Sequence, residues 1–464
     1  MVATNPTTIV IFGATGDLFR KKLAPALFNL HLSGELPMVF RIVAFSRRPW
    51  GDEEFRKFFG ETLAEKSPNA SGEVLKKFLE HVFYTEGDLE NADSYSKLSG
   101  LLAKFDKEQS VCMNKLFYLA TPPNFYETIL KHISDSGLAI PCAPTKDGGE
   151  TGWTRILIEK PFGSDLENAR RLDALLGKLF SENQIFRIDH YLAKETLQHI
   201  LKFRFSEGLF EPFWNGDYIE EVSVVFLERE GVGGRGAFYD SLGALRDVGQ
   251  NHCLQMTALV AMEKPENFSA EAIRAKRAGV LKDFKIFGDD ISTTAIRAQY
   301  EGYQDEKGVA KNSATETYFK IKLALSGKRF RGIPFILEAG KGLSESKVEI
   351  KVSFKKPVEV PVAGKLILAE AVKFKIQPKE EISIICPSCA PDEISFPTDK
   401  IANGERKIDA YEKVLLDAVL GDQTLFTSTD EVVAEWNIIM PILLAWRKVV
   451  TPLLTYAKGE MPKN

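Results

Sequence analysis

Short apolar runs alternate with amphipathic stretches through the first third of the chain, the pattern of strand-helix-strand units that build a parallel sheet. Residues 8–12, 40–45, 115–120 and 155–158 read as its strands. Between the first two, Leu23, Ala26, Leu27 and Leu30 fall at i, i+3, i+4 and i+7, one face of a helix. A further helix follows Pro161-Phe162-Gly163, where Ser164 and Glu167 have capping-box spacing and Leu172, Leu175, Leu176 and Leu179 supply a buried stripe. This part of the chain predicts a doubly wound, Rossmann-like α/β domain.

Further on the period changes to two. Val348, Ile350, Val352 and Phe354 alternate with Lys347, Glu349, Lys351 and Ser353, as in a strand with one wet face. Phe319, Ile321, Leu323 and Leu325 repeat the pattern, as do Val372, Phe374 and Ile376, so a second α+β domain with a large, mainly antiparallel sheet is expected. The chain then returns to helix, with Tyr411, Val414, Leu415, Ala418 and Val419 on one face and a second helix near residues 430–446 interrupted by Pro441. We place the boundary near Phe186, giving domains 1–186 and 187–464. Residues 142–152 read as an exposed loop.

Composition narrows the class. A chain of 464 residues, 44% hydrophobic and 27% charged, has the length for two or three domains with real cores, which excludes disordered and disulfide-stapled architectures. Lys and Arg total 60 against 64 Asp and Glu, and a net charge of −4 provides no long-range attraction to nucleic acid or an anionic membrane. Any polyanionic ligand needs a local basic pocket. No secretory signal and no apolar run near the roughly 20 residues of a membrane helix is visible. Five cysteines, an odd and sparse set, suggest thiols in a reducing compartment, and we read the chain as cytoplasmic.

After the first strand comes Gly13-Ala14-Thr15-Gly16-Asp17-Leu18, where a dinucleotide pyrophosphate would meet free backbone amides and a helix N-terminus. The spacing is Gly-x-x-Gly, short of the three-glycine fingerprint, so a plain turn is the alternative. At the end of the second strand stand Arg47 and Arg48, where an acidic residue would bind the ribose of NAD. Two arginines suit a 2'-phosphate and favour NADP; a solvated basic loop is the alternative. Residues 187–195 pack a carboxylate, an imidazole, a phenol and an ammonium into one stretch, and both His190 and His252 stand in polar contexts. Taken singly, each histidine also suits a purely structural role.

Several separate blocks resemble the glucose-6-phosphate dehydrogenase family over nearly the whole chain. They are Gly13 to Leu18 with Lys21-Lys22, Glu159-Lys160-Pro161-Phe162-Gly163, Arg187 to Glu195, Arg235-Gly236 with Arg246-Asp247 and Gln250-Asn251-His252, Ala339 to Leu343, and Asp409-Ala410-Tyr411-Glu412. The resemblance implies oxidation of glucose 6-phosphate with NADP. It implies His252 as general base at the anomeric hydroxyl and Asp189 as the carboxylate that orients it. His190, Tyr191 and Lys194 would grip the sugar phosphate, Glu228 and Asp247 accept from sugar hydroxyls, and Lys341 and Gln377 stand near the substrate. Lys160 would reach both substrate and coenzyme, with a cis peptide before Pro161. For the coenzyme the resemblance points to Gly13, Thr15, Gly16, Asp17, Leu18, Lys22, Arg47 and Tyr118, the last in the Pro-containing loop Tyr118 to Pro123. It also implies a homodimer or a homotetramer built through the second-domain sheet.

This chain departs from the family pattern at three places. Ser346 stands where a second basic residue is common, so either Lys347 substitutes or one hydroxyl contact is missing, with a weaker Michaelis constant expected. Ala193 replaces a usual glycine, which costs nothing at negative φ. No long tail follows Arg447-Lys448, so only the catalytic coenzyme site is expected. Cys386-Pro387-Ser388-Cys389 has redox or metal-ligand spacing, but with no partner pair or histidine cluster no metal is expected and a turn is the reading, a regulatory disulfide the alternative. Competing functions are a broader hexose or hexose-phosphate dehydrogenase and a catalytically silent NADP-binding protein.

Overall fold

The computed structural model describes residues 5–66, 72–141, 152–205, 208–362, 364–397, 408–448 and 450–463. They divide into two compact units, one drawn from residues 1–163, 167–190 and 408–429, the other from 164–166, 191–407 and 430–464.

The first unit is built on six parallel strands: β1 (Thr7–Phe12), β2 (Phe40–Ser46), β3 (Val82–Glu86), β4 (Asn114–Leu119), β5 (Thr154–Ile158) and β6 (Ile185–Ile188). Their order is β6-β5-β4-β1-β2-β3, and a two-residue strand, Phe426–Thr427, adds antiparallel to β6. All residues of β1 and β4 are buried, as central strands covered on both faces must be. β1 pairs with β2 on one side and β4 on the other, so the winding reverses between β1 and β4. In such sheets a ligand binds at that switch point, beyond the carboxyl ends of the strands.

The helix Ala410–Leu420 buries its expected stripe of Tyr411, Val414, Leu415, Ala418 and Val419. It does so within the first unit, where Asn29 donates to Glu412 at 2.7 Å and Arg155 donates to the carbonyls of Ala418 and Val419, both at 2.7 Å. Residues 408–429, expected in the second domain, therefore pack in the first, which also runs on past Phe186 to His190. An amphipathic pattern declares a buried face and is silent about which partner covers it.

The second unit holds a large sheet of β7 (Ile219–Leu227), β8 (Phe284–Ile286), β9 (Ala295–Tyr300), β10 (Tyr318–Leu325), β11 (Phe335–Gly340), β12 (Lys347–Val362), β13 (Lys365–Gln377), β14 (Glu381–Ile385), β15 (Glu393–Pro397) and the C-terminal strand Leu453–Tyr456. The order is β15-β14-β13-β12-β7-β11-β10-β9 and then the C-terminal strand, with β8 on β10. Only β7 with β11 and β9 with the C-terminal strand run parallel. Val348, Ile350, Val352 and Phe354 are buried along β12, and Phe319, Ile321, Leu323 and Leu325 along β10, as the period of two requires.

Two local expectations are corrected. The helix Thr429–Arg447 continues through Pro441. The ring removes one amide donor, but Trp436, Ile438, Ile439, Ile442, Leu443 and Trp446 are buried on both sides of it, and that packing outweighs one lost bond. The cysteines are not all thiols: Cys386 and Cys389 form a disulfide across the turn after β14, Cys112 is disulfide-bonded too, and Cys253 is a buried thiol. Ser110 is the one non-glycine residue at positive φ among the described residues, so Ala193 carries no such strain. No helix among those residues is long and apolar enough to cross a membrane.

Candidate active site

At the end of β1 the chain turns so tightly that Gly13, at φ +82°, would bring a Cβ within 2.5 Å of the carbonyl oxygen of Ala120. Only glycine fits between β1 and the loop after β4, and the absent side chain leaves the backbone open to a phosphate. Gly16 closes the turn with its amide on the Gly13 carbonyl at 3.0 Å, and Thr15 shares a 2.9 Å hydrogen bond with Ser46 at the end of β2. Leu18 leads into a π-helical turn, Phe19–Leu23, ahead of the helix Ala24–Leu32. Asp17 is paired with Lys21 at 2.8 Å on the surface. Arg47 and Arg48 are both exposed next to the end of β2 and in no ion pair among the described residues; Arg48 lies over the Trp50 ring at 4.6 Å. A close backbone cradle with exposed arginines beside it fits a dinucleotide that carries a 2'-phosphate.

Beyond β4 and β5 the first unit holds a second cluster. Tyr118, fully buried, donates to Glu159 Oε1 at 2.6 Å, and Tyr126 donates to the Glu159 carbonyl at 2.9 Å. Burial pushes the Glu159 carboxyl up to about 7; the Tyr118 bond and Lys160 pull the other way, and Asp189 adds to the rise. Burial raises both phenols too, and the nearby Glu159 raises them further. Lys160 is half-buried and joined to Pro161 by a cis peptide, as the resemblance implies. Lys22 lies 5.8 Å over the Tyr411 ring, and His190 stacks on the same ring at 5.7 Å. Asp189 is buried at the end of β6, close enough in charge to raise Tyr411 and Glu159.

In the second unit, residues Leu245–Cys253 form a nine-residue π-helical stretch that runs into the helix Leu254–Ala261. Such turns widen a helix locally and recur at functional sites. Two residues before the stretch stands Gly243, where φ is +77° and a Cβ would strike the buried Glu316 carboxylate at 2.3 Å; that carboxylate accepts from the Leu245 amide at 3.1 Å. Gln250 and Gln255 donate to the two oxygens of Glu435 at 3.2 and 2.6 Å. His252, 1% exposed, is held between them. Its imidazole lies 4.4 Å from the Tyr191 ring and 6.0 Å from Phe226, and Tyr191 donates to Gln377 at 3.2 Å.

The same unit pairs Lys341, buried at the end of β11, with Glu228 at the end of β7 by a short hydrogen bond. The Tyr456 hydroxyl fixes the Lys341 carbonyl at 2.5 Å, and the Lys341 ammonium lies 5.6 Å over the Tyr239 ring. Tyr239 is buried with no hydrogen-bond partner for its hydroxyl among the described residues, and burial, then Asp247, raises its pKa. Asp247 is half-buried, its amide bonded to Gly243 at 3.0 Å. Lys194, also half-buried, closes a turn on the Tyr191 carbonyl at 2.9 Å. Ser346 does not reproduce a cation: its hydroxyl accepts from the Arg229 amide at 3.0 Å, and Lys347 pairs with Glu349 at 3.3 Å.

The structure thus joins Tyr191, His252 and Gln377, joins Glu228 with Lys341, and gathers Lys22 and His190 on Tyr411. Sequence reasoning assigned no role to Glu159, Tyr126, Tyr239, Tyr411 or Glu435. Glu159 and Tyr411 stood inside blocks that carry the resemblance, while Tyr239 and Glu435 had no signal at all.

A doubly wound sheet whose first turn is shaped for a dinucleotide places the chain in the class of dinucleotide-binding α/β proteins. Comparison with known proteins makes this specific. The family model described as "Glucose-6-phosphate dehydrogenase, NAD binding domain" matches residues 10–199, and "Glucose-6-phosphate dehydrogenase, C-terminal domain" matches 201–463. The glucose-6-phosphate 1-dehydrogenase of Borreliella burgdorferi is 38% identical over 98% of this chain and 95% of its own, and that of Chlamydia muridarum 36% over 99% and 94%. A solved glucose-6-phosphate dehydrogenase in complex with its substrate glucose-6-phosphate superposes with a TM-score of 0.87 at 32% identity, covering 100% of this chain and 96% of that one. The chain belongs to the glucose-6-phosphate dehydrogenase family.

Proposed function

We propose that this chain oxidises D-glucose 6-phosphate with NADP+ to 6-phospho-D-glucono-1,5-lactone and NADPH, the first oxidative step of the pentose phosphate pathway. The observation that carries the reading is the match of both family models in order along the chain. His252 takes the proton of the anomeric hydroxyl, and a neutral imidazole braced by the Tyr191 and Phe226 rings is suited to that transfer near pH 7. Asp189 orients the imidazole and stabilises the imidazolium it becomes. Bound NADP supplies the acceptor for the hydride that leaves the same carbon. His190, Tyr191 and Lys194 hold the sugar phosphate by charge-assisted bonds. Glu228, Asp247, Lys341 and Gln377 position the sugar ring, and Lys160 serves substrate and coenzyme together.

Gly13, Thr15, Gly16, Asp17 and Leu18 form the cradle for the pyrophosphate, with Lys22 between coenzyme and substrate, the stretch from Tyr118 to Pro123 close to the nicotinamide and Arg47 on the 2'-phosphate. The reading includes self-association as a homodimer or homotetramer, supported by exposed Leu366 and Leu368 on β13. It also includes a cytoplasmic location, as the name of a 37% identical relative from Arabidopsis thaliana states for that protein. Initial rates of NADPH formation with glucose 6-phosphate and with glucose test it. Turnover that needs the phosphate supports the reading, and equal turnover of both sugars would make the chain a broader hexose dehydrogenase.

A further inference from the structure

Glu159 sits one residue past β5, 9% exposed, where a carboxylate has lost nearly all its water. Two phenols hold it from two elements: Tyr118 of β4 donates to its carboxyl at 2.6 Å, and Tyr126 of the helix Tyr126–Asp135 donates to its carbonyl at 2.9 Å. The other ionisable groups facing it are Lys160, next in the chain, Asp189 after β6, and Tyr411 of the helix Ala410–Leu420. Desolvation is the largest influence on it, ahead of the Tyr118 bond and Lys160 that oppose it, and pushes the carboxyl up to about 7. Of the groups around Glu159, Lys160 is the one that serves the coenzyme in the proposed function.

We propose that Glu159 is a positioning residue whose change of charge sets how firmly Lys160 holds the anionic coenzyme. It rests on the coenzyme reading given above. Protonated, the carboxyl leaves the Lys160 charge uncompensated and the site attracts phosphates. Ionised, it adds a negative charge beside the same groups, and affinity for an anion falls by Coulomb repulsion. A merely structural clamp predicts something else, because a glutamine keeps the oxygen that accepts from Tyr118 and changes nothing with pH.

The test uses the whole chain as wild type, Glu159→Gln and Tyr118→Phe. Infrared difference spectra of the unliganded proteins, titrated across neutral pH, report the protonated carboxyl directly. NADPH dissociation constants measured by its fluorescence at the same pH values report the coupling. The wild type should lose a carboxyl band as pH passes about 7, the band should be missing in Glu159→Gln, and in Tyr118→Phe it should persist to higher pH, since the Tyr118 bond lowers the titration point. The ratio of the wild-type to the Glu159→Gln dissociation constant should rise from near unity in acid to roughly 3- to 10-fold in mild alkali. A ratio that stays constant with pH, or a wild type with no titrating band, overturns the proposal alone. No NADPH binding by either protein overturns the coenzyme reading and this proposal with it.

Discussion

The side-chain amide of Gln255 donates to Glu435 at 2.6 Å, with both groups buried. The other oxygen of Glu435 takes the amide of Gln250 at 3.2 Å, so one carboxylate on the helix Thr429–Arg447 is tied to both ends of the segment that carries His252. Removing it in Glu435→Ala strands two buried amides, each worth about 1–3 kcal/mol when left unpaired. Urea unfolding should show a loss of that size, and kcat should fall while NADPH affinity holds. Unchanged stability would mean that the π-helical stretch holds itself.

Arg47 is an exposed cation beside the dinucleotide turn, free of the ring contact that Arg48 makes with Trp50. A charge-assisted bond to a 2'-phosphate contributes about 1.5–3 kcal/mol, so Arg47→Ala should weaken NADP binding by roughly 10- to 100-fold and leave NAD binding nearly as it was. Calorimetric titration with each coenzyme decides it. Equal losses for both would place Arg47 away from that phosphate.

Stability should depend on pH through Asp417. Burial pushes its carboxyl from 3.8 up to about 6, although Lys413 donates to it at 2.5 Å. A raised acid binds its proton more tightly folded than unfolded, so its contribution is fully present below pH 3.8 and is lost as pH rises through about 6. The loss amounts to about 2–3 kcal/mol. Asp417→Asn should flatten that part of the unfolding free energy between those limits, and a slope identical to wild type would assign the dependence elsewhere.

Much of this fold can be read from periodicity. The alternation from Val348 to Phe354 becomes β12 because a half-buried strand permits no other register. Gly13 is legible for a similar reason: where backbone passes close to backbone, only one residue type survives. Periodicity stops where identity of the partner matters. The stripe from Tyr411 to Val419 announces a buried face, yet only three-dimensional packing assigns it to the first unit. The nine residues Leu245–Cys253 are too few for any apolar pattern to separate a π-helical stretch from an α-helix. Tyr239 and Glu435 were invisible for a different reason, since their importance lies in burial, which a polar letter in a sequence does not show.

His252→Asn is the most direct test of the account. NADPH formation from glucose 6-phosphate is measured beside NADPH affinity for the wild type and the variant. The account predicts a kcat lowered by about 10²- to 10⁴-fold, as expected for loss of a general base, with NADPH affinity unchanged. Wild-type turnover in the variant, with the same coenzyme affinity, would contradict the assignment of His252 and leave the proton to another group.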